Sequence, residues 1–570
     1  MQFSVLFQPN NNMKGDKPMN KKILVAAAWP YANGSLHLGR VAGILSADII
    51  ARYARSAGNE VLFVSGSDCH GTPIAVEADK LGVHPREIAE KFHQEFQHDL
   101  IENLKFSYDC YTTTTTENHQ RVVQEVFLKL YNDGVIYTKT EDLPYCASCK
   151  RFLPDRYVEG ECPICHFDPA RGDQCDECGN LLNPDQLLKP QCKLCGKSPE
   201  WRPSEHFYLR LSAFTERLRE WAKDSEGWRA NSKQFTLGLL KEGLPDRAIT
   251  RDTNWGVPIP LPGYETKRIY VWFEAVCGYL SASKEWAQKQ GQENLWEKFW
   301  LNESAVHYYV HGKDNIPFHT VVWPSILLGF GGLHLPDHII SSEYLTLKKC
   351  QFSKSRNWEI LLNDFVQKFD PETLRYYLIA NGPETADADF AWENYRTRTN
   401  TELIGVFGNY IHRVLSFVKA HFPEGVSFPD TLNESQAEVL KTVRESFAEV
   451  AKAIEEGRLR NGLRVVFDLA AHGNRYINNA APWFSIKEDR AKAEADLAVG
   501  AHLVHCLAIL VSPFLPTTAE KINRSVGAKK SAVAWQYPEP SRVVVEHLEP
   551  LYKRIEEQDI AQQNSLLKGS

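Results

Sequence analysis

The chain has 570 residues, 43% of them hydrophobic and 24% charged, with a formal net charge of -7. That length accommodates several domains with full cores, and the acidic balance excludes blanket nucleic-acid affinity, leaving local basic patches for any RNA contact. No run approaches the length of a membrane span and no positively charged leader precedes an apolar core, so a cytoplasmic protein with no membrane partner is expected.

All three methionines, Met1, Met13 and Met19, fall in a polar leader. Residues 1–19 read as a disordered extension, with Met19 as the ancestral start. Lys22 to Trp29 (KILVAAAW) is a short apolar run that stops at Pro30, Asn33 and Gly34. A helical pattern follows from Val41 to Ser56, and Glu60 to Ser65 (EVLFVS) is a second apolar strand. Strand, turn, helix and strand open a parallel α/β sheet. Ligands of such sheets bind at the carboxyl ends of the strands.

Four Cys-x-x-Cys pairs come next: Cys146/Cys149, Cys162/Cys165, Cys175/Cys178 and Cys192/Cys195. Two cysteines on one tight knuckle reach adjacent corners of a tetrahedral zinc, and eight thiolates make two closed structural sites. A disulfide framework suits a small secreted domain rather than this chain. Nested pairing, inner pairs together and outer pairs together, stands beside sequential pairing as the alternative. His166 reads as a bystander. Cys69, Cys110, Cys277, Cys350 and Cys506 are scattered and read as small buried hydrophobes.

Strands are expected again over Arg268 to Trp272 (RIYVW) and Ala305 to Val310 (AVHYYV), so the cysteine region is an insertion splitting one nucleotide-binding domain. From about residue 400 the pattern changes to long amphipathic helices, for example Leu403 to Val418 and Ser435 to Ile454, which predicts a helix bundle. The chain ends soon after that bundle.

Two segments carry chemistry. Pro30 to Arg40 (PYANGSLHLGR) joins the first strand to its helix. Gly39 lets a nucleotide approach the helix N-terminus, where free N–H groups favour phosphate, and His37 can donate to phosphate oxygens as charge builds. Gln351 to Arg356 (QFSKSR) is a basic loop suited to closing over a triphosphate.

In this order, with a cysteine-rich insert between them, the two segments resemble the signatures of class I aminoacyl-tRNA synthetases. Further segments are similar to the methionyl-tRNA synthetase family: Ser67 to Ile74 (SDCHGTPI), Phe152 to Arg156 (FLPDR), Ser204 to Phe207 (SEHF), Tyr270 to Phe273 (YVWF), His311 to His319 (HGKDNIPFH) and Ala481 to Trp483 (APW). Gly312 to Asn315 and Ser342 to Leu345 (SEYL) look closer to its archaeal and eukaryotic branch, and the doubled zinc knuckle occurs within the family.

The resemblance implies a Rossmann-type parallel sheet split by a zinc-knuckle insertion, followed by an all-α anticodon-binding bundle. It divides the chain into a leader (1–19), a first Rossmann half (20–135), a connective insertion with two zinc knuckles (136–245), a second Rossmann half (246–340), a stem-contact region carrying the Ser-Lys-Ser loop (341–398), and a helical anticodon-binding domain with its tail (399–570). The implied activity is ATP-dependent activation of methionine and its transfer to tRNA(Met), with Mg2+ accompanying ATP, by a monomer. Asp68 would hold the α-ammonium, and Trp272, Ala275, Tyr279 and His319 would enclose the thioether. Gly312 and Asp314 would contact ribose, and Lys313, Arg251 and Lys354 would support activation. His37, Gly39 and Arg40 would meet the phosphates, while Asn409, Arg413 and Trp483 would read the CAU anticodon. Three positions depart from the family pattern. Trp29 stands where a smaller pocket residue is usual, Gln351 and Phe352 replace a Lys-Met pair, and Arg40 replaces a histidine. A diverged paralogue acting on a related amino acid, and a non-catalytic RNA-binding module, are the other readings.

Overall fold

The computed structural model describes residues 20–154, 157–172, 175, 177–178, 182, 184–352, 358–528 and 534–567. The 1–19 leader, Asp155, Arg156 and the Ser353–Arg356 part of the second signature, Lys354 included, lie outside the described residues.

Six parallel strands form the central sheet, in the spatial order Gly227–Trp228, His338–Ser342, Val306–Gly312, Lys22–Ala27, Glu60–Ser67 and Cys110–Thr113. Lys22–Ala27 therefore runs between one strand from each side of the insertion, and the carboxyl ends of this central group open a crevice at the switch point. Both faces are covered, which is why these strands read as continuous apolar runs rather than alternating ones. The Leu38–Ser56 helix starts at His37, whose backbone is extended (φ -92°, ψ 159°), and buries Val41, Ile44, Leu45, Ile49 and Tyr53 at helical spacing.

The insertion is built on a long antiparallel hairpin, Ile136–Cys146 against Glu200–Leu209, with Ile136 opposite Leu209 and Tyr145 opposite Glu200. Beyond its tip, Val158–Glu161 pairs with Ala170–Arg171 and Leu188–Cys192. The expected strand over Arg268 to Trp272 shrinks to Arg268–Ile269, because a 19-residue helix, Val271–Lys289, begins there with Tyr270 as its N-cap. Aromatic and β-branched residues favour a strand, but this helix buries Phe273, Val276, Cys277 and Leu280 along one stripe, and that packing overrides the local preference.

After a small sheet of Cys350–Gln351, Leu345–Leu347 and Ala388–Phe390, the chain is helical. A π-helical stretch, Thr399–Gly408, leads into Asn409–His421, and the bundle continues with Glu434–Glu455, Leu459–Ala480, Arg490–Val511 and Pro516–Ser525. Arg490–Val511 is long and apolar enough to cross a membrane by length and composition, contrary to the sequence reading, but 83% of its apolar window is buried inside the protein. It is the core helix of the bundle. Its buried Asp496 accepts hydrogen bonds through Oδ1 from Gln436 Nε2 (2.9 Å) and Tyr476 Oη (3.1 Å).

Candidate active site and metal centres

At the end of the first strand the chain turns through Pro30–Leu36 so that His37 caps the Leu38–Ser56 helix with its imidazole lying across the helix N-terminus. Gly39 makes this possible: a Cβ there would stand 3.1 Å from His37 Cε1 and Nδ1. The ring also stacks on Phe352, centroids 5.0 Å apart and planes 8° from parallel. Leu38 N–H donates to Ile360 O, and Leu362 N–H to Leu36 O. The residues on both sides of the Ser-Lys-Ser segment are thus tied to the His37 turn, which brings the two signatures together. Burial, and then Arg40, hold the His37 pKa down to about 3, so its imidazole is neutral, and Nδ1 is buried with no partner. Arg40 is occupied locally, donating to Tyr31 O (3.1 Å) and Asn33 Oδ1 (3.4 Å). Its first task is to brace the turn.

Asp68 follows the second strand and is 4% exposed. Its backbone is clasped between Pro30 and Ala32 through N–H···O bonds of 2.9 and 2.8 Å. Burial, and then the charge of Glu274, raise its carboxyl well above the usual range. Ala275 and Tyr279 sit one turn apart on the Val271–Lys289 helix, with Trp272 a turn before them. Tyr279 Oη and His319 Nε2 are 2.7 Å apart, and His319 Nδ1 lies 2.8 Å from Asn315 O. The carbonyl can only accept, so Nδ1 carries the proton and Nε2 accepts from the tyrosine. Burial lowers the His319 pKa to about 4. Trp272 forms the rim, partly exposed, with its ring 4.8 Å from that of Phe318.

Trp29 does not project freely into this pocket. Its indole lies in a slot between two glycines: a Cβ on Gly66 would come within 2.7 Å of Cζ3, and one on Gly278 within 2.8 Å of Cζ2. Its ring is 6.0 Å from that of His119.

Gly312 ends the Val306–Gly312 strand with open space beside its Cα. Lys313 Nζ bonds Glu343 and Asp387, each at 2.8 Å, and lies 3.9 Å over the Tyr344 ring, while Tyr344 donates its hydroxyl proton to Asp314. Arg251 stacks on Tyr270 at 3.8 Å and donates to Ala248 O and Thr250 O. Sequence reasoning missed Phe352, Tyr344, Gly66 and Gly278, whose parts appear only when distant segments meet. It also missed the His70–Glu274 contact, although His70 lies in a quoted motif.

The cysteines fall into two sets, Cys146/Cys149/Cys192/Cys195 and Cys162/Cys165/Cys175/Cys178, with the sulfurs of each set within 4.8 Å of one another. This is the nested arrangement. Sulfur separations of 3.5 and 3.9 Å in the outer set, and 3.8 and 3.6 Å in the inner, match the edge of about 3.8 Å for a tetrahedron with 2.3 Å metal–sulfur bonds. Backbone N–H groups of Cys149 and Ile164 donate to Cys146 Sγ and Cys162 Sγ, each at 3.4 Å, as suits thiolates. The donor sets fit zinc. His166 turns to Glu161 instead (2.9 Å). Of the other cysteines, Cys69, Cys110, Cys277 and Cys506 are buried as expected, but Cys350 is exposed. It lies on a two-residue edge strand, exposed among the described residues.

In the bundle, Arg413 lies 4.6 Å over the Trp483 ring and donates to Asn478 Oδ1 at 2.6 Å. Asn409 is exposed at the start of the same helix as Arg413. Phe484, 68% exposed beside Trp483, extends this aromatic surface.

Family comparisons agree with this architecture. The family described as "tRNA synthetases class I (M)" matches residues 23–415, and "Anticodon binding domain of methionyl tRNA ligase" matches residues 423–560. The chain is 44% identical to methionine-tRNA ligase 1 of Bacillus cereus over 555 residues, 96% of this chain and 99% of that one. It is 47% identical to methionine-tRNA ligase of Dehalococcoides mccartyi over 553 residues, with the same two coverages. The fold resembles that of Mycobacterium tuberculosis methionyl-tRNA synthetase, solved in complex with methionyl-adenylate, at a TM-score of 0.79 and 23% identity, covering 94% of this chain and all of that one. The chain belongs to the methionyl-tRNA synthetases, the methionine-tRNA ligases of class I.

Proposed function

We propose that the chain activates L-methionine with ATP to methionyl-adenylate and transfers the methionyl group to the 3′ end of tRNA(Met), initiator and elongator alike, acting as a cytoplasmic monomer. The observation that carries this reading is the convergence of Asp68, the Tyr279–His319 pair and the His37 helix N-terminus at the carboxyl ends of the central strands.

In this reading Asp68 accepts hydrogen bonds from the α-ammonium. The thioether lies against Trp272, Ala275 and Tyr279, where sulfur meets aromatic rings. Tyr279 gives its proton to His319, so the pocket floor offers no free donor to a polar impostor. A methionine carboxylate oxygen then bonds to the α-phosphorus as the bond from that phosphorus to the bridging oxygen breaks, and pyrophosphate leaves. His37 and the helix N-terminus stabilise the developing charge, with Lys354 of the second signature as the expected cation. Gly312 and Asp314 take the ribose, and Lys313 and Arg251 support activation. Positioning does most of the work.

Zinc, held by the two cysteine sets, would supply rigidity to an insertion with little core of its own. Mg2+ would accompany ATP, and among the described residues the clusters of three or more ligand side chains are the two cysteine sets. Arg413, Trp483 and Asn409 present stacking and hydrogen-bonding groups to unpaired anticodon bases. The archaeal- and eukaryotic-like branch rests on Gly312–Asn315 and Ser342–Leu345 alone, since the relatives named above are bacterial. The test is amino-acid-dependent ATP–pyrophosphate exchange with methionine, leucine, isoleucine, norleucine and homocysteine. Exchange with methionine alone is expected; strong exchange with another amino acid, or with none, would overturn the reading.

A further inference from the structure

Behind the proposed ammonium position three titratable side chains stand close together. Asp68 is 4% exposed, His70 6% and Glu274 0%. His70 Nδ1 and Glu274 Oε1 are 2.6 Å apart, Val257 N–H donates to Glu274 Oε2 at 3.3 Å, and His70 N–H lies 3.4 Å from Asp68 Oδ1. Among the described residues no lysine or arginine forms an ion pair with either carboxylate. Two carboxylates buried together without a cation cannot both ionise cheaply. An arriving ammonium supplies a cation at Asp68, and the proton held there must then go elsewhere.

The cluster borders a cavity. The His70 ring stands edge-on to Trp255, centroids 4.9 Å apart, and lines a cavity of about 210 Å3 shared with His84, Arg86, Gln120 and Arg268. One side of His70 meets buried Glu274, and the other meets space open to water. We propose that the α-ammonium of methionine enters in exchange for a proton on Asp68, with the Glu274–His70 pair setting the charge balance around that carboxyl and the proton leaving to water. This rests on the role given to Asp68 above. The O–H bond of the Asp68 carboxyl breaks, its electron pair stays on the oxygen that accepts the ammonium N–H, and the proton ends on water. His70 and Glu274 are positioning residues here.

Other titratable groups around the cluster stay out of the way. Burial, and then His70, hold His119, on the Glu117–Asn132 helix, down to about 3. Burial raises Cys69 to about 12 and lifts Cys277 and Tyr279 far from neutrality. Arg86 and Arg268 line the cavity beyond His70.

The test uses the full chain. Methionine is titrated calorimetrically in two buffers of different ionisation enthalpy, and the KM for methionine in ATP–pyrophosphate exchange is followed from about pH 5.5 to 8. We expect net proton release on binding, and a KM that rises about tenfold per pH unit below the Asp68 midpoint. E274Q removes the neighbouring charge and moves that midpoint to lower pH. H70N removes the ring hydrogen-bond partner that shares the Glu274 charge and moves it to higher pH, with kcat changing less than KM in both. A purely packing role would change amplitudes without moving the two midpoints in opposite directions. Heats that do not depend on buffer, in protein that exchanges pyrophosphate normally, overturn this inference while leaving the ligase reading intact. Absence of both heat and exchange in folded protein overturns the ligase reading, and this inference with it. Thermal melting identifies a variant that fails to fold, in which case the wild-type titration decides.

Discussion

Trp29 and Gly278 are predicted to be energetically coupled, and the coupling can be worked from the slot that holds the indole. An alanine Cβ at Gly278 would lie 2.8 Å from Trp29 Cζ2, 3.0 Å from Cε2 and 3.1 Å from Cη2. Carbon pairs rest at about 3.5–4.0 Å, so the ring must retreat by roughly 0.7 Å. It has nowhere to go on that axis, because the opposite face already lies against Gly66, where a Cβ would be 2.7 Å from Cζ3. Gly278→Ala should therefore destabilise the protein by about 1–3 kcal/mol. It should also raise the KM for methionine, since the remaining way out for the indole is towards the pocket. In a Trp29→Leu background the ring atoms that cause the clash are gone, and the same alanine should cost less than about 0.5 kcal/mol. The assay is a double-mutant cycle read by denaturation and by ATP–pyrophosphate exchange. Equal damage from Gly278→Ala in both backgrounds would refute the slot, and with it the claim that Trp29 is accommodated by glycines rather than by a reshaped pocket.

Cysteine-to-serine changes should separate the two metal sets: Cys146→Ser and Cys192→Ser lower the zinc content from two to one by removing the same site, whereas Cys162→Ser removes the other. A Cys146→Ser/Cys192→Ser protein that loses both metals, by atomic absorption, would argue against the nested grouping. Trp483→Ala should raise the KM for tRNA in aminoacylation by about tenfold or more, in line with about 1–3 kcal/mol for a stacked base, and leave pyrophosphate exchange unchanged; an equal loss in exchange would place Trp483 in the fold rather than at the RNA. Stability should fall as pH drops through the histidine range. Burial is the main cause holding His119 and His307 near 3, and His319 and His502 near 4, so these four are neutral when folded. The unfolded chain takes up their protons below about pH 6.5, so their contribution is complete above that value and declines down to the folded pKa values. One pH unit below it the loss is about 5 kcal/mol for the four together. A melting temperature flat from pH 7 to 5 would contradict this.

What could be read from the sequence was chemistry carried by neighbours in the chain. The cysteine spacing gave the four knuckles and a count of two sites because each knuckle is local, while the choice of nested over sequential sets came from one hairpin bringing Cys146 and Cys149 beside Cys192 and Cys195. The turn from Trp29 to Arg40 was legible because a strand, a glycine and a helix start lie within a few residues of one another. Contacts between remote segments were not. His70 and Glu274 are far apart in the chain, and neither carries a signal for the other. Trp29 looked like an obstruction, since nothing local shows that Gly66 and Gly278 hollow out a place for it. Arg40 looked like a phosphate ligand, but its guanidinium also satisfies the carbonyl of Tyr31. The helix at Val271 was taken for the continuation of a strand because the four apolar and aromatic residues Ile269 to Trp272 fit either periodicity.

The join between the catalytic sheet and the bundle explains how an RNA-reading surface can be held in register with a chemical site. The Leu38–Ser56 helix carries His37 at one end and Asp48 and Tyr53 further along. Asp48 is buried between Arg52 and Arg375, each at 2.8 Å, and these cations overcome the burial that would otherwise raise its pKa. Arg375, 1% exposed, also donates to Leu104 O, Pro513 O and Phe514 O, the last two just beyond the core helix of the bundle. Tyr53 donates to Glu455 Oε1 at 2.6 Å, at the end of another bundle helix, and Arg229 donates to Gly457 O at 2.7 Å while also holding Ser341 O. Apolar contact alone would let such an interface slide. Directional bonds to buried carbonyls allow one register, because any displacement strands a charge in a low-dielectric interior. The helix that starts at His37, where the phosphates are proposed to bind, is therefore the same rigid element that anchors the bundle.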